Sequence, residues 1–244
     1  MKKLLTVIII LFLSSSLLAQ DDSQQKMLSV FKKLAARYKD PASLSFEVSY
    51  KYAAENKPAE ILDSLEGSFK IQHKKYWYRL ANTEAAGDSS ISVMVFREDG
   101  VMYLSKPSVA SRNLNPLSLL DSQTSDKRIA FQNVTSENGI TKVKITYRPG
   151  FSYKTVEYYV DQKSGLLVKM ISVVEAKQFY DPTVRDKLTD KAFAVMEADF
   201  SHYSEKPADE KQFDLNRYFK KVGNDFIAVA PFDTYKIFLG TPNL

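Results

Sequence analysis

The residues able to do acid–base or metal chemistry are few and scattered. The 244-residue chain has two histidines, His73 and His202, and no cysteine. His202 precedes Glu205 by three positions, a spacing more typical of a structural pair than of a catalytic one. No HExxH segment and no Cys/His cluster with zinc spacing occurs. Ser29-Val30-Phe31-Lys32 matches SxxK by letters, but the SDN and KTG motifs that accompany a serine acyltransferase are missing. The acidic pairs Asp21-Asp22 and Glu98-Asp99 fall at a helix start and in a turn, where capping and solvation account for them. Asn133-Val134-Thr135 matches a glycosylation acceptor, a common three-letter coincidence. Nucleophile-elbow, P-loop and GxGxxG motifs are absent from the sequence. No enzyme, cofactor or metal site is expected.

The distinctive chemistry is non-covalent. Residues 67–80 read GSFKIQHKKYWYRL and hold the single tryptophan, between two tyrosines. With Lys74-Lys75 as a two-residue turn, the stretch is expected to fold as a hairpin. His73 would then face Tyr76, Ile71 would face Tyr78 and Phe69 would face Leu80, all on one side. Trp77, Arg79, Lys70 and Gln72 would project from the other.

The surrounding elements follow from periodicity. Met27, Val30, Phe31, Leu34 and Tyr38 recur at helical spacing over residues 22–40, and Pro41 ends the run. The period then becomes two: Leu44, Phe46, Val48, Tyr50 and Tyr52 alternate with polar residues. Residues 90–106 form a second hairpin around Glu98-Asp99-Gly100. Ile91, Val93 and Val95 lie on one of its faces, Met94 and Phe96 on the other. Further strands are expected over residues 127–134, 140–148, 154–160, 166–174 and 193–202. Asn138-Gly139 and Lys163-Ser164-Gly165 supply turns. Short helices are expected at residues 115–121 and 214–222, and a strand-like tail carries Tyr235, Ile237 and Leu239.

The sum is a mainly β chain with short helices, too few to cover both faces of a wide sheet. A sheet with an apolar inner face, lidded in part by an amphipathic helix, leaves a cavity. Fifteen Phe and 14 Tyr would make that cavity a solvent for acyl chains.

Residues 1–20, MKKLLTVIIILFLSSSLLAQ, have the layout of a signal peptide cleaved after residue 19. The apolar run is shorter than the roughly 20 residues that span a bilayer. Residues 20–244 are then expected as one exported domain, with 206–244 the segment hardest to place. No cysteine follows the signal to carry a lipid anchor. Loss of Lys2 and Lys3 takes the formal charge from +5 to +3, which gives no electrostatic case for nucleic acid.

The order of segments resembles a known family. An amphipathic helix leads into Phe46-x-Val48-x-Tyr50. A Gly-x-apolar-x-apolar hairpin with an aromatic return follows, then Asp99-Gly100-Val101-Met102-Tyr103. Arg112-Asn113-Leu114-Asn115-Pro116-Leu117 runs into Leu119-Leu120, and Tyr159-Val160-Asp161 precedes Gly165-Leu166-Leu167. Over residues 22–200 this looks like the LolA-like carriers of outer-membrane lipoproteins. The resemblance implies an unclosed antiparallel β half-barrel with a helical lid. It implies a periplasmic, monomeric carrier that takes acylated lipoproteins from an inner-membrane release complex to an outer-membrane acceptor, with no covalent step. Ligand-lining residues would be Phe46, Val48, Tyr50, Phe69, Ile71, Tyr78, Leu80, Val93, Val95 and Tyr103. The lid and gate would involve Phe31, Leu34, His73, Leu119 and Leu120. Proteobacterial members carry an Arg-Pro before the hairpin turn, and that Arg latches the lid; His73-Lys74 stands there in this chain. Two other readings stay open: a related module for another lipid, hydrophobic ligand or peptide, and a structural accessory of an envelope complex with a self-filled core.

Overall fold

The computed structural model describes residues 23–39, 41–107, 128–178, 193–241 and 244. Residues 23–38 form one helix, α1. Its stripe of Met27, Phe31, Leu34 and Tyr38 is buried to within 3%, as the spacing requires. The strands that follow are β1 (Leu44–Ala54), β2 (Ile61–Gln72), β3 (Lys75–Leu80), β4 (Thr83–Gly87), β5 (Ser92–Phe96) and β6 (Val101–Ser105). Next come β7 (Ile129–Glu137), β8 (Ile140–Tyr147), β9 (Tyr153–Asp161), β10 (Leu167–Glu175) and β11 (Phe193–Ser204). The C-terminal part adds β12 (Phe219–Val222), β13 (Asp225–Ala228) and β14 (Lys236–Leu239). Twelve strands share one unclosed sheet in the order β14-β6-β5-β4-β3-β2-β1-β11-β10-β9-β8-β7, and β12 and β13 pair separately. The pairs from β2 to β6 and from β7 to β10 are antiparallel. β14 joins the edge strand β6 in parallel.

Contacts divide the chain into two compact units, one within residues 1–35, 52–62 and 124–197, the other within 36–51, 63–123 and 198–244. In the first unit, alternation along β8 and β9, and along β10 after a register shift at Leu167–Lys169, buries Val143, Ile145, Val156, Tyr158 and Met170. Phe31 meets the ring of Tyr158 edge-on at 5.1 Å. On the outer face, Glu157 takes ion pairs from Lys142 at 2.7 Å and Lys144 at 2.9 Å, and the Tyr159 hydroxyl donates to it at 2.8 Å. Burial alone would raise its carboxyl; these bonds outweigh burial and hold it at about 2.

In the second unit, β4, β5 and β6 are apolar on both faces. One face carries Ala86, Val93, Val95, Met102 and Leu104, and the C-terminal segment seals it with Tyr218, Phe219 and Phe232. Trp77 packs against the same cluster. At its centre lies Glu84, whose side chain is fully buried. The Tyr218 hydroxyl donates to Glu84 Oε1 at 2.6 Å and Trp77 Nε1 donates to the same oxygen at 3.0 Å. The Arg97 guanidinium pairs with Oε2, and Arg79 lies 3.5 Å from it. Burial would push this carboxyl up; the bonds from Tyr218, Arg97 and Trp77 and the Arg97 charge outweigh it and hold it at about 2.

Three expectations need correction. The hairpin pairs Phe69 with Tyr78, Ile71 with Tyr76 and Gln72 with Lys75, so the turn is His73-Lys74. Tertiary contacts set this register: Gln72 and Lys75 both hold Glu210, and the His73 N–H donates to the Pro41 carbonyl at 2.8 Å. Residues 214–222 are not one helix but a 3₁₀ turn at Leu215–Arg217 followed by β12. Gly223, at φ 61°, serves a two-residue hairpin turn into β13 as readily as a helix stop. Ile61–Gln72 is a longer strand than the hairpin arm expected. The expected helix at 115–121 lies outside the described residues.

Glu84 sits below its ordinary value of 4.5, so its stabilisation is complete above about pH 5 and is lost as pH falls toward 2. Replacing Glu84 by Gln should cost about 3 kcal/mol at pH 7. Urea unfolding should show that deficit at neutral pH and show it shrinking between pH 5 and pH 2.

Candidate functional site

The site is built by register. On the face opposite the Glu84 cluster, Phe69 of β2 stands beside Tyr78 of β3. Tyr78 stands beside Ala85 of β4, Ala85 beside Met94 of β5, and Met94 beside Tyr103 of β6. Phe238 of β14 completes the row beside Tyr103. Six strands thus place six uncharged, mostly apolar side chains in one line across the sheet. At the ~4.8 Å spacing of paired strands the line runs about 24 Å.

One end is buried and aromatic. Phe46 stacks on Phe69 with centroids 5.1 Å apart, and Phe69 stacks on Tyr78 at 5.4 Å. Tyr38, at the end of α1, meets Phe46 edge-on at 5.9 Å. Phe200 and Tyr203 close on Phe46 from β11. The other end is open: Tyr103 and Phe238 are each 44% exposed. They stack on one another at 5.3 Å, and Phe96 meets Tyr103 edge-on at 5.7 Å. Exposed aromatic area at a sheet edge, continuous with a buried aromatic cluster, is a surface poised to hold apolar matter.

The row holds one polar anomaly. The Tyr78 residue is 2% exposed, and its hydroxyl has no hydrogen-bond partner. Burial pushes its pKa well above the ordinary tyrosine value. A buried donor without an acceptor costs about 1–3 kcal/mol. Among the described residues no group of three or more His, Cys, Asp or Glu side chains could hold a metal. On the opposite face a polar depression of about 350 Å³ is lined by Glu47, Ser49, Glu66, Ser68, Arg79 and His202. His202 takes φ 52° there, and its Nδ1 lies 2.8 Å from Glu47 Oε2.

No family model matches the chain, and no curated protein matches it. Solved structures similar to it include an uncharacterized conserved protein from Thermus thermophilus, with TM-score 0.47, 9% identity, and coverage of 88% of this chain and 99% of that one. A LolA superfamily protein from Nitrosomonas europaea gives TM-score 0.36 at 10% identity, covering 78% and 97%. A domain named for outer membrane lipoprotein sorting, from Vibrio parahaemolyticus, gives 0.35 at 12% identity, covering 79% and 98%. These TM-scores lie below 0.5 and add no weight to a function.

Of the residues anticipated from sequence, Phe46, Val48, Phe69, Tyr78 and Tyr103 share the face of the row. Tyr50, Ile71 and Leu80 lie beside them, half-buried. Val93 and Val95 do not join them. They project from the opposite face into the cluster sealed by Tyr218 and Phe232, because both faces of β5 are apolar and the C-terminal segment covers theirs. Phe31 and Leu34 belong to the other compact unit. His73 is exposed in its turn and acts through its backbone N–H. Leu119 and Leu120 lie outside the described residues. Sequence reading missed Ala85, Met94 and Phe238. The signal for Phe238 was the tail's apolar run, without an assignable partner strand.

Burial along the row predicts opposite responses at its ends. Phe69→Ala should destabilise by about 3–5 kcal/mol, whereas Phe238→Ala should change stability by under about 1 kcal/mol. Urea midpoints of the two variants test this.

Proposed function

We propose that this chain is a carrier for acylated cargo, held on the row from Phe69 to Phe238. The observation that carries the reading is the in-register line of uncharged groups, buried at one end and open at the sheet edge. An acyl chain laid across the strands would replace water over Met94, Tyr103 and Phe238. Ten methylenes so buried supply about 8 kcal/mol of gross driving force at roughly 0.8 kcal/mol each, before the costs of association. Nothing in the row reacts, so release would depend on an acceptor being the better host. The cargo in this reading is an acylated lipoprotein, taken from an inner-membrane release complex to an outer-membrane acceptor in the periplasm. The carrier acts as a monomer, without nucleic acid or cofactor. The N-terminal signal-like segment and the order of motifs support that setting.

An apolar fluorescent probe tests the reading. The protein should bind it, and an acylated peptide should displace it. Tyr103→Glu would place a charge on the open half of the row and should weaken probe binding at least tenfold with the fold intact. Ile227→Glu, a comparably exposed position on the separate β12–β13 hairpin, should leave binding unchanged. Equal binding by both variants would remove the row from the site.

A further inference from the structure

Of the tyrosine hydroxyls buried elsewhere in this unit, that of Tyr76 is likewise without a partner, and three are satisfied. Tyr38 and Tyr203 share a hydrogen bond at 2.6 Å, and Tyr218 donates to Glu84. The Tyr78 hydroxyl is the exception on the row: enclosed, without a partner, and between two in-register neighbours, Phe69 and Ala85, that offer no polar side-chain atom. A phenylalanine would fill the same space and leave no unpaired donor.

We infer that the Tyr78 hydroxyl reads the cargo, donating a hydrogen bond to the carbonyl oxygen of an acyl ester or amide lying on the row. The inference rests on the carrier reading and adds to it the functional group that is recognised. A bare hydrocarbon chain has no acceptor to offer, whereas each acyl ester or amide has one carbonyl. A buried donor left unpaired discriminates strongly against ligands that cannot satisfy it. The same apolar surroundings that strengthen the bond when made penalise its absence. A donor must also keep its proton, and burial holds this phenol protonated across the physiological range. Tyr78 is thereby a specificity-determining residue: the apolar neighbours supply affinity, and its hydroxyl separates acylated molecules from other greasy ones.

Competition for the fluorescent probe by a fatty-acid methyl ester and by an alkane of equal length, on full-length wild type and on Tyr78→Phe, is the test. Wild type should prefer the ester by about tenfold, the worth of one buried hydrogen bond. Tyr78→Phe should lose that preference by binding the ester about tenfold more weakly, with alkane affinity unchanged. Its ligand-free urea midpoint should rise, since the unpaired donor is gone. A variant that keeps the ester preference overturns the inference. Wild type that binds ester and alkane equally overturns it too, and leaves the carrier reading standing. Wild type that binds neither overturns both.

Discussion

Strands β4 to β6 have too much apolar surface to be solvated on either side. A sheet with one wet face can rely on alternation; this one needs cover twice over. The C-terminal segment answers for one face, laying Tyr218, Phe219 and Phe232 over Val93, Val95, Met102 and Leu104. It is fastened there by Glu84, which would be prohibitively costly to bury without the donors that converge on it. β14 then continues the sheet past β6. That extension sets Phe238 beside Tyr103 and lengthens the apolar line on the other face. The same segment therefore closes one side of the sheet and enlarges the apolar surface on the other.

Much of this was legible from residue spacing. The stripe of α1, the alternation of β1 and the placement of Trp77 on the face opposite Phe69 and Tyr78 follow from periods of 3.6 and 2.0. Phe69 and Tyr78 share a face in any register that keeps parity, so the aromatic core of the row survived a wrong turn assignment. What failed did so for identifiable reasons. The hairpin slid by two because Glu210, distant in sequence, grips Gln72 and Lys75 at its tip. Val93 and Val95 went to the wrong face because β5 is apolar on both, and alternation cannot say which face another segment covers. Leu215, Tyr218, Phe219 and Val222 fit a helical period and also fit a turn followed by a strand. Glu84 gave no sign at all: one acid in Thr-Glu-Ala-Ala-Gly, a stretch poor in strand formers, reveals its role only when Trp77, Arg97 and Tyr218 surround it.

A surface of this kind acts as a solvent. It gains from area, which is indifferent to chemical identity, and so needs some feature that is not indifferent. Along the row the buried polar group without a partner is the Tyr78 hydroxyl, and the proposed selection would rest on it. The proposed arrangement would separate affinity, spread over several side chains, from selection, concentrated in one.

The most direct examination of the central claim is photo-crosslinking in living cells. One probe stands at position 103, on the open half of the row, and a control stands at Lys51, which projects from the opposite face of β1. The account predicts an adduct of acyl-bearing cargo at position 103 and none at Lys51. Folded protein with no adduct at either position, or with equal adducts at both, would contradict it.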